Sequence, residues 1–414
     1  MIWRRLMKNP KLLTGLLAVS MTAALLNPFS VPAAPAAATG TEITTNATEG
    51  WPQGPEITSG AAVVMEESTG TILYAKNMDT AMYPASITKI MTTLVALENS
   101  SLTDTVTMTE TGTAASAGDS VSLHSQVGET FTMEQCLYGI MLGSANDIST
   151  QVAEQVGGSV ENFITMMNQK ATDLGCTNTK FTNPTGLPDE NQTSTAHDLA
   201  LIMQAALENE TFRTIAAAPS YTIPATNMTS TQRNLSNSFP LLASTSTSYY
   251  EGTLGGKSGY TQASGSTLAA GASRNGTTLV CILLSGTEQQ ISAEAVTLFD
   301  YGFSNFQTVT VSDDANLISG GTAVIPSTAS VEDITVEETG TTEEGTTQQY
   351  TYHGALVGTA VLSSDADTDE KDADITPEHA KEEPLSVLPF VLIIGAGVIL
   401  LGLLGYLMRK IIKS

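Results

Sequence analysis

The chain has 414 residues, of which 42 are acidic and 17 basic, so that its formal net charge is −25 at pH 7. This excess of negative charge argues against nucleic acid and against anionic lipid as electrostatic partners. Three cysteines and four scattered histidines provide neither a disulfide framework nor a ligand cluster at metal spacing, so we expect buried free thiols, no metal and no cofactor.

The first 38 residues have the three zones of a secretory signal. A positively charged leader precedes an uncharged apolar run over residues 12–26, and Ala36-Ala37-Ala38 provide a small-residue cleavage site. We therefore expect residues 1–38 to be removed on export, with an uncleaved N-terminal anchor as the alternative. Residues 39–56 are rich in Thr, Gly, Pro and Ala, a composition that predicts a linker.

Residues 57–306 alternate between strand and helix patterns, which together predict an α+β domain. Two short strands over residues 61–66 and 71–75 form a hairpin, and a strand group over 252–285 contains a turn at Asn275-Gly276. Apolar residues recur at helical spacing in the other segments. The predicted helices cover residues 86–98, 133–141, 146–156, 160–174, 196–207 and 292–299. We therefore expect the strands of one sheet to come from both ends of the domain.

The pattern changes after residue 306. Short alternating strands and Gly-rich turns over residues 307–362 predict a small all-β domain. Residues 363–384 hold nine acidic and two basic side chains, which predicts a disordered stalk. Residues 385–408 carry no charge and are long enough to span a bilayer as a transmembrane helix. The basic tail 409–414 then indicates a cytoplasmic C-terminus, with the domains before it outside the cell.

The first chemical motif is a serine and a lysine three residues apart, Ser86 and Lys89, at the start of a predicted helix. This spacing puts both side chains on one helix face, where the lysine can take the proton that makes serine a nucleophile. The apolar neighbours Ile90 and Met91 are expected to lower the pKa of Lys89 by excluding water. Such a pair occurs by chance about once in a chain of this length, so it predicts little by itself.

Two further motifs follow in a fixed order. Ser144-Ala145-Asn146 lies at a junction between two predicted helices, where a hydroxyl and an amide can reach a cleft. Lys257-Ser258-Gly259 lies in a predicted strand with further glycines at 255 and 256, small enough to let a substrate backbone approach. The order S-x-x-K, then S-x-N, then K-[ST]-G is the signature of penicillin-binding proteins and serine β-lactamases.

The chain resembles the low-molecular-mass penicillin-binding proteins, which are D-alanyl-D-alanine carboxypeptidases of the S11 peptidase type. Further stretches are similar to that family over about residues 57–306, among them Tyr83-Pro84-Ala85-Ser86-Ile87-Thr88-Lys89, Phe181-Thr182-Asn183-Pro184-Thr185-Gly186-Leu187 and Ser194-Thr195-Ala196-His197-Asp198. The resemblance implies a β-lactamase/transpeptidase-like fold, in which helices flank an antiparallel sheet.

The resemblance also implies the reaction and the residue roles. Ser86 would attack the penultimate D-Ala carbonyl of a peptidoglycan stem peptide, with Lys89 as the base, and β-lactams would acylate Ser86 as substrate mimics. Ser144 and Asn146 would relay protons and hold the substrate amide. Lys257, Ser258 and Gly259 would bind the terminal carboxylate side, and the backbone N–H groups of Ser86 and Tyr260 would form the oxyanion hole.

This chain departs from the family pattern at three places. Gln192 stands where the family commonly has His, and Gln289-Gln290 precede the last helix, where the family often has an Arg for the substrate carboxylate. The C-terminal segment also reads as a membrane span rather than an amphipathic helix. From the sequence we expect the first two departures to affect carboxylate recognition and not the acylation chemistry.

Several alternatives remain open. A class A β-lactamase would need a Glu-x-x-Leu-Asn pattern after Ser144, and the chain lacks it. A non-catalytic β-lactam or muropeptide sensor would need a signalling domain, which the short tail 409–414 does not supply. A D,D-endopeptidase would use the same nucleophile. His197 and Asp198 are adjacent on a predicted helix, point about 100° apart and cannot form a catalytic relay with a serine.

Overall fold

The computed structural model describes residues 42–118, 120–342 and 345–363. The predicted signal peptide 1–38, the transmembrane segment 385–408 and the tail 409–414 lie outside these residues, as does the stalk apart from Ser363. Within the described ranges no helix has the length and apolar character needed to cross a membrane.

Antiparallel strands from both ends of the first domain form its central sheet. The strands are β1 Ala61–Glu66, β2 Ile72–Lys76, β7 Thr253–Thr261, β8 Gly265–Arg274 and β9 Thr277–Gly286. Their spatial order is β2-β1-β9-β8-β7. The predicted hairpin and the predicted strand group are therefore confirmed, including the Asn275-Gly276 turn. Since β7 lies at one edge, its outer side is open to a ligand.

Helices cover the central sheet on both faces. Alternate residues of β1 enter different cores: Val63 and Met65 face most of the helices, whereas Ala62 and Val64 face the last one. The helices are α1 Thr88–Asn99, α2 Glu110–Ala114, α3 Met133–Met141, α4 Asn146–Gly157, α5 Val160–Asp173, α6 Ala196–Glu208, α7 Glu210–Ala217 and α8 Ile291–Asn305. Helix α1 is the centre of the helical layer, because residues 88–96 are all buried.

The sequence patterns missed the shorter elements. These are α2, α7 and two small ladders, which pair β3 Thr105–Thr107 with β4 Thr130–Thr132 and β5 Ser220–Ile223 with β6 Arg233–Ser236. Each strand of these ladders has only three or four residues, too few to show a period. The last helix is longer than predicted and continues to Asn305, and its own side chains Phe299 and Tyr301 are buried in the core.

A second antiparallel sheet follows α8 directly. Its strands are β10 Phe306–Thr310, β11 Leu317–Pro326, β12 Ile334–Thr341, β13 Thr346–Tyr352 and β14 Ala355–Leu362. Their spatial order is β10-β11-β14-β13-β12. Strands β10, β12 and β13 agree with strands predicted for residues 307–362, whereas β11 and β14 were not recognised. Tyr350 and Val357 of this sheet belong to the same apolar cluster as Phe299 of α8, so the two sheets share one core.

The described part of the predicted linker packs against the rest of the fold. Ile43 and Trp51 are buried, and the Trp51 indole donates to the Leu73 carbonyl at 2.9 Å. The Trp51 ring also packs 5.1 Å from Phe306 and 6.2 Å from Tyr352, measured between ring centroids. The prediction from composition was wrong here, because a few apolar side chains among polar residues were sufficient to seat the segment between the two sheets.

Replacing Trp51 with alanine is expected to lower the free energy of unfolding by about 3–5 kcal/mol, the usual cost of removing a large buried aromatic side chain. Urea denaturation of the wild type and the variant measures this change. Met228→Ala is the control, because Met228 is 48% exposed and its loss should alter stability by no more than about 0.5 kcal/mol. A Trp51 variant as stable as this control would show that the segment is not part of the core.

Candidate active site

Ser86 lies in a tight turn that the central sheet holds in place. The turn is a 3-10 helix over Ala85–Ile87, and α1 begins only at Thr88, so Ser86 precedes the α-helix instead of opening it. Ala85 has a φ of +50°, an uncommon conformation for a residue with a side chain, and such strain clusters at functional sites. The Thr267 hydroxyl of β8 donates to the Pro84 carbonyl at 3.0 Å, which fastens the turn to the sheet.

Lys89 lies one turn further along and points back at Ser86. Its side chain is fully buried. The ammonium nitrogen Nζ lies 3.4 Å from Ser86 Oγ, 2.8 Å from Asn146 Oδ1 and 2.5 Å from the Thr185 carbonyl oxygen. A neutral amine has two N–H donors and one lone pair. If the two shorter contacts take the donors, the lone pair is directed at the Ser86 hydroxyl, as a general base requires.

The surroundings of Lys89 favour this neutral form. Burial is the main cause that lowers the pKa of Lys89 well below its ordinary value, and the nearby positive charge of Lys257 lowers it further. Because no carboxylate contacts Nζ among its described partners, nothing offsets the cost of burying the charge. The apolar surroundings predicted for Lys89 are therefore present, since Ile90 and Met91 are buried as well.

The predicted S-x-N segment joins the site through its asparagine. Asn146 opens α4, accepts from Lys89 and donates through Nδ2 to Ser120 Oγ at 2.9 Å. Ser144 precedes it with a φ of +53° and is half-buried. In the described parts of the chain its hydroxyl forms no hydrogen bond with Ser86 or Lys89. The structure thus places Asn146 in direct contact with the base, and Ser144 beside it along the chain.

The K-S-G segment lies on the edge strand β7. Lys257 is 7% exposed, its Nζ contacts the Ser258 carbonyl at 3.0 Å, and burial lowers its pKa to about 8. Gly259 passes directly over the Ser86 turn: a Cβ atom added to it would stand 2.6 Å from the Ser86 nitrogen. Tyr260 follows with 68% of its side chain exposed. An extended peptide could therefore lie along β7 with its carbonyl carbon above Ser86.

Gly259→Ala is expected to reduce acylation of Ser86 by about 100-fold or more, because the added methyl group would push the turn away from β7 and misplace the nucleophile. The rate of covalent labelling by a fluorescent penicillin measures this effect. Gly276→Ala in the distant β8–β9 turn is the control: it has open space around it, although its φ of +85° will cost some stability. Equal labelling rates in the two variants would contradict the close packing at Gly259.

None of the three described arginines forms a hydrogen bond with Ser86, Lys89 or Lys257, and the Arg213 guanidinium donates to the Leu207 carbonyl. The Arg233 guanidinium pairs with the buried Glu129 carboxylate at 2.9 and 3.1 Å, and Arg274 stacks 5.0 Å from the Tyr250 and Phe303 rings. His197 lies 3.4 Å from Asp79, which agrees with its interpretation as a helix-surface residue. Lys257 is thus the cation on β7 next to the nucleophile, as the sequence motif indicates.

Two contributors to the site had no motif. Thr185 acts through its backbone carbonyl, which residue type does not reveal, although the stretch around it is similar to the family. Asp147 is fully buried and accepts from Leu123 N at 3.1 Å and from Ser125 N and Oγ at 3.1 and 2.7 Å. These bonds hold the loop that begins at Ser120, the partner of Asn146. The sequence signal that could have identified Asp147 is its position directly after the S-x-N motif.

The sequence profile of the D-alanyl-D-alanine carboxypeptidase family, Peptidase S11, matches residues 47–288. The D-alanyl-D-alanine carboxypeptidase DacF of Bacillus subtilis is 34% identical over 254 residues, which are 60% of this chain and 63% of that protein, so the match spans less than two thirds of that relative. A D-alanyl-D-alanine endopeptidase of Escherichia coli is 32% identical over 48% of this chain and 65% of its own length.

The fold is also similar to a solved structure. Penicillin binding protein 5 of Haemophilus influenzae superimposes with a TM-score of 0.63 at 26% identity. The superposition covers 75% of this chain and 98% of that one.

Proposed function

The chain belongs to the D-alanyl-D-alanine carboxypeptidase family, and we propose that it removes the terminal D-Ala from peptidoglycan stem peptides through an acyl-enzyme on Ser86. The observation that carries this proposal is the contact between a fully buried lysine and the Ser86 hydroxyl, 3.4 Å from Lys89 Nζ to Ser86 Oγ. A buried amine with a lowered pKa can act as a base near neutral pH, which is what a serine nucleophile needs.

In the acylation step Ser86 Oγ attacks the carbonyl carbon of the penultimate D-Ala while its proton passes to the neutral Lys89. The negative charge that develops on the carbonyl oxygen faces the backbone N–H groups of Ser86 and Tyr260. When the peptide C–N bond breaks, the proton moves from Lys89 to the departing D-Ala amine. An ester of Ser86 with the shortened stem peptide remains, and Lys89 is neutral again.

In the deacylation step water attacks this ester, and Lys89 accepts the proton of the water molecule. Collapse of the tetrahedral intermediate returns the proton to Ser86 Oγ and releases the peptide. Asn146, which contacts Lys89 at 2.8 Å, holds the base in place and leaves part of its amide for the substrate. Lys257 attracts the terminal carboxylate, with Ser258 beside it as a hydroxyl donor and Ser144 available for proton transfer.

A pentapeptide ending in D-Ala-D-Ala tests this proposal. Incubation with the purified protein should release one alanine, detected by mass spectrometry, and a fluorescent penicillin should label the protein covalently. Labelling without alanine release would contradict carboxypeptidase activity and would favour a sensor or a D,D-endopeptidase.

A D,D-endopeptidase is the second candidate, because one relative bears that name and the nucleophile would be the same. Cross-linked muropeptide dimers distinguish the two activities. Conversion of dimers to monomers, with the pentapeptide left intact, would replace the first proposal by the second.

We also propose that the catalytic domain is exported and remains on the outer face of a bacterial membrane of the Gram-positive type, held by residues 385–408. The support is the charge pattern of the sequence, in which an uncharged stretch precedes Arg409, Lys410 and Lys413. Protease added to intact cells should digest the catalytic domain and spare a C-terminal tag. A protected domain would contradict this placement.

A further inference from the structure

The carbonyl that contacts the base belongs to a loop with an unusual internal support. This loop consists of residues 182–187 and runs from α1 to the Ser86 turn. Asn183 Oδ1 accepts from the Thr185 backbone N–H at 3.2 Å, from the Thr185 hydroxyl at 2.9 Å and from the Gly186 backbone N–H at 2.8 Å. These three bonds set the orientation of the Thr185 peptide group, and therefore the direction of its carbonyl.

The side chain of Gln192 supports this loop from the outside. It is 2% exposed. Its Oε1 accepts from the backbone N–H groups of Thr182 at 2.9 Å and Asn183 at 2.8 Å, and its Nε2 lies 3.3 Å from Asn183 Oδ1. The same nitrogen lies 3.5 Å from the hydroxyl of Thr88, the residue before the base. One amide therefore contacts both the loop and α1.

Gln192 is itself anchored to the segment that leads into the nucleophile. Its two successors form isolated antiparallel bridges, Thr193 with Lys180 and Ser194 with Met82. Met82 lies four residues before Ser86. The loop also closes on the Ser86 turn directly, since Gly186 has a φ of +83° and an added Cβ atom would stand 1.9 Å from the Ala85 carbonyl oxygen. The amide, the loop and the turn thus form one packed unit.

We propose that Gln192 is a positioning residue: through the backbone of residues 182–185 its amide sets the Thr185 carbonyl that directs the Lys89 amine at Ser86. This inference rests on the proposed function, because it assigns a role in the acylation step. The Thr185 carbonyl takes one N–H of Lys89 at 2.5 Å and Asn146 takes the other at 2.8 Å. If the carbonyl moves, the lone pair of the amine no longer faces the Ser86 hydroxyl.

The other charged groups near Lys89 do not obscure the effect of its contact with the Thr185 carbonyl. Lys257 of β7 is the charged side chain that acts on it. The helices packed against α1 also carry ionisable side chains, and the following ones bind residues other than Lys89. They are Asp147 and Glu154 of α4, Glu134 of α3, Lys170 of α5, His197 and Asp198 of α6 and Arg213 of α7. A change at Gln192 should therefore reach Lys89 through the loop.

The test compares acylation by a fluorescent penicillin in the wild type and in Gln192→Leu, which keeps the size of the side chain and removes its hydrogen bonds. The rate at saturating penicillin should fall by about 10- to 100-fold, whereas the affinity before acylation should change by no more than about 2-fold. In a plot of acylation rate against pH, the acid limb is the range in which the rate rises as Lys89 loses its proton. This limb should also move to lower pH, because the displaced carbonyl no longer favours the charged form of Lys89. A loss of stability alone moves neither the limb nor the rate of the folded fraction.

Two further variants and one control complete the design. Gln192→Glu keeps the oxygen acceptors for Thr182 and Asn183 but turns a carboxyl oxygen towards Asn183 Oδ1 in place of the Nε2 donor, so it should recover only part of the rate lost in Gln192→Leu. Asn183→Ala, at a half-buried position, should reproduce the Leu phenotype even if Gln192→Leu does not fold. Gln151→Leu is the matched control, because Gln151 is a 1% exposed glutamine with three short hydrogen bonds outside the site.

A wild-type rate and acid limb in folded Gln192→Leu, or in Asn183→Ala if the first variant does not fold, would overturn the inference and leave the proposed function intact. The same changes in Gln151→Leu would also overturn it, since the effect would then be general. An unlabelled wild type that releases no alanine would instead contradict the proposed function itself.

Discussion

Replacing Ser86 with alanine is expected to abolish covalent labelling by a fluorescent penicillin and to lower D-Ala release by about 10⁴-fold or more, the range seen when an enzyme loses its serine nucleophile. The physical reason is that no other hydroxyl contacts Lys89 Nζ in the described structure except that of Ser86, at 3.4 Å. Gel fluorescence and mass detection of released alanine measure the two effects.

Stability should change little in Ser86→Ala, because the hydroxyl makes only this one long contact. Ser100→Ala is the matched control: Ser100 lies at the opposite end of α1, and its hydroxyl bonds to the Ala96 carbonyl. The control should label like the wild type. Labelling that persists in Ser86→Ala would show that another residue is the nucleophile.

Replacing Lys89 with methionine should slow acylation by about 10²- to 10⁴-fold, the usual contribution of a general base. Since only the neutral amine can accept the Ser86 proton, the wild-type rate should rise with pH through the lowered pKa of Lys89. The methionine variant should lack this limb. Stopped-flow measurement of penicillin acylation over a range of pH tests both statements.

The same variant should remove the contribution of Lys89 to the pH dependence of stability. In the unfolded chain Lys89 titrates near its ordinary pKa of about 10.4, whereas burial lowers its pKa in the folded protein. Between the two pKa values the unfolded state binds more protons, so the free energy of unfolding of the wild type falls as the pH falls through this window. Methionine has no proton to bind, so Lys89→Met should gain stability relative to the wild type as the pH is lowered.

Urea denaturation of both proteins from about pH 10 down to about pH 6 measures this difference. Lys257, with a pKa of about 8, titrates in both proteins, so the difference between them reports on Lys89. Absolute stabilities are less informative, because methionine leaves Thr185 O and Asn146 Oδ1 without a donor, at about 1–3 kcal/mol each. Parallel stability curves would refute a neutral buried lysine.

The sequence alone determined the α+β class, the long helices and the residues that we propose to react. Helix α1 and strands β1, β8 and β9 bury long runs of apolar residues, so their periodicity and turn signals were strong. Ser86, Lys89, Asn146 and Lys257 were recognisable because the chemistry depends on their side chains and because three motifs occur in order. Each of these signals comes from residues that are close together along the chain, so it can be recognised in the sequence.

The tertiary structure alone decided how these groups are aimed. The Thr185 carbonyl contacts Lys89 through the backbone, which residue type does not reveal, and the Gln192 side chain contacts residues about ten positions away, which only the folded chain brings next to it. Trp51 and the second sheet likewise join the core through contacts between distant segments. Burial of Lys89, the cause of its lowered pKa, arises only when α4, β7 and the 182–187 loop close around it. Residue type supplies a base, but desolvation and geometry are properties of the assembled fold.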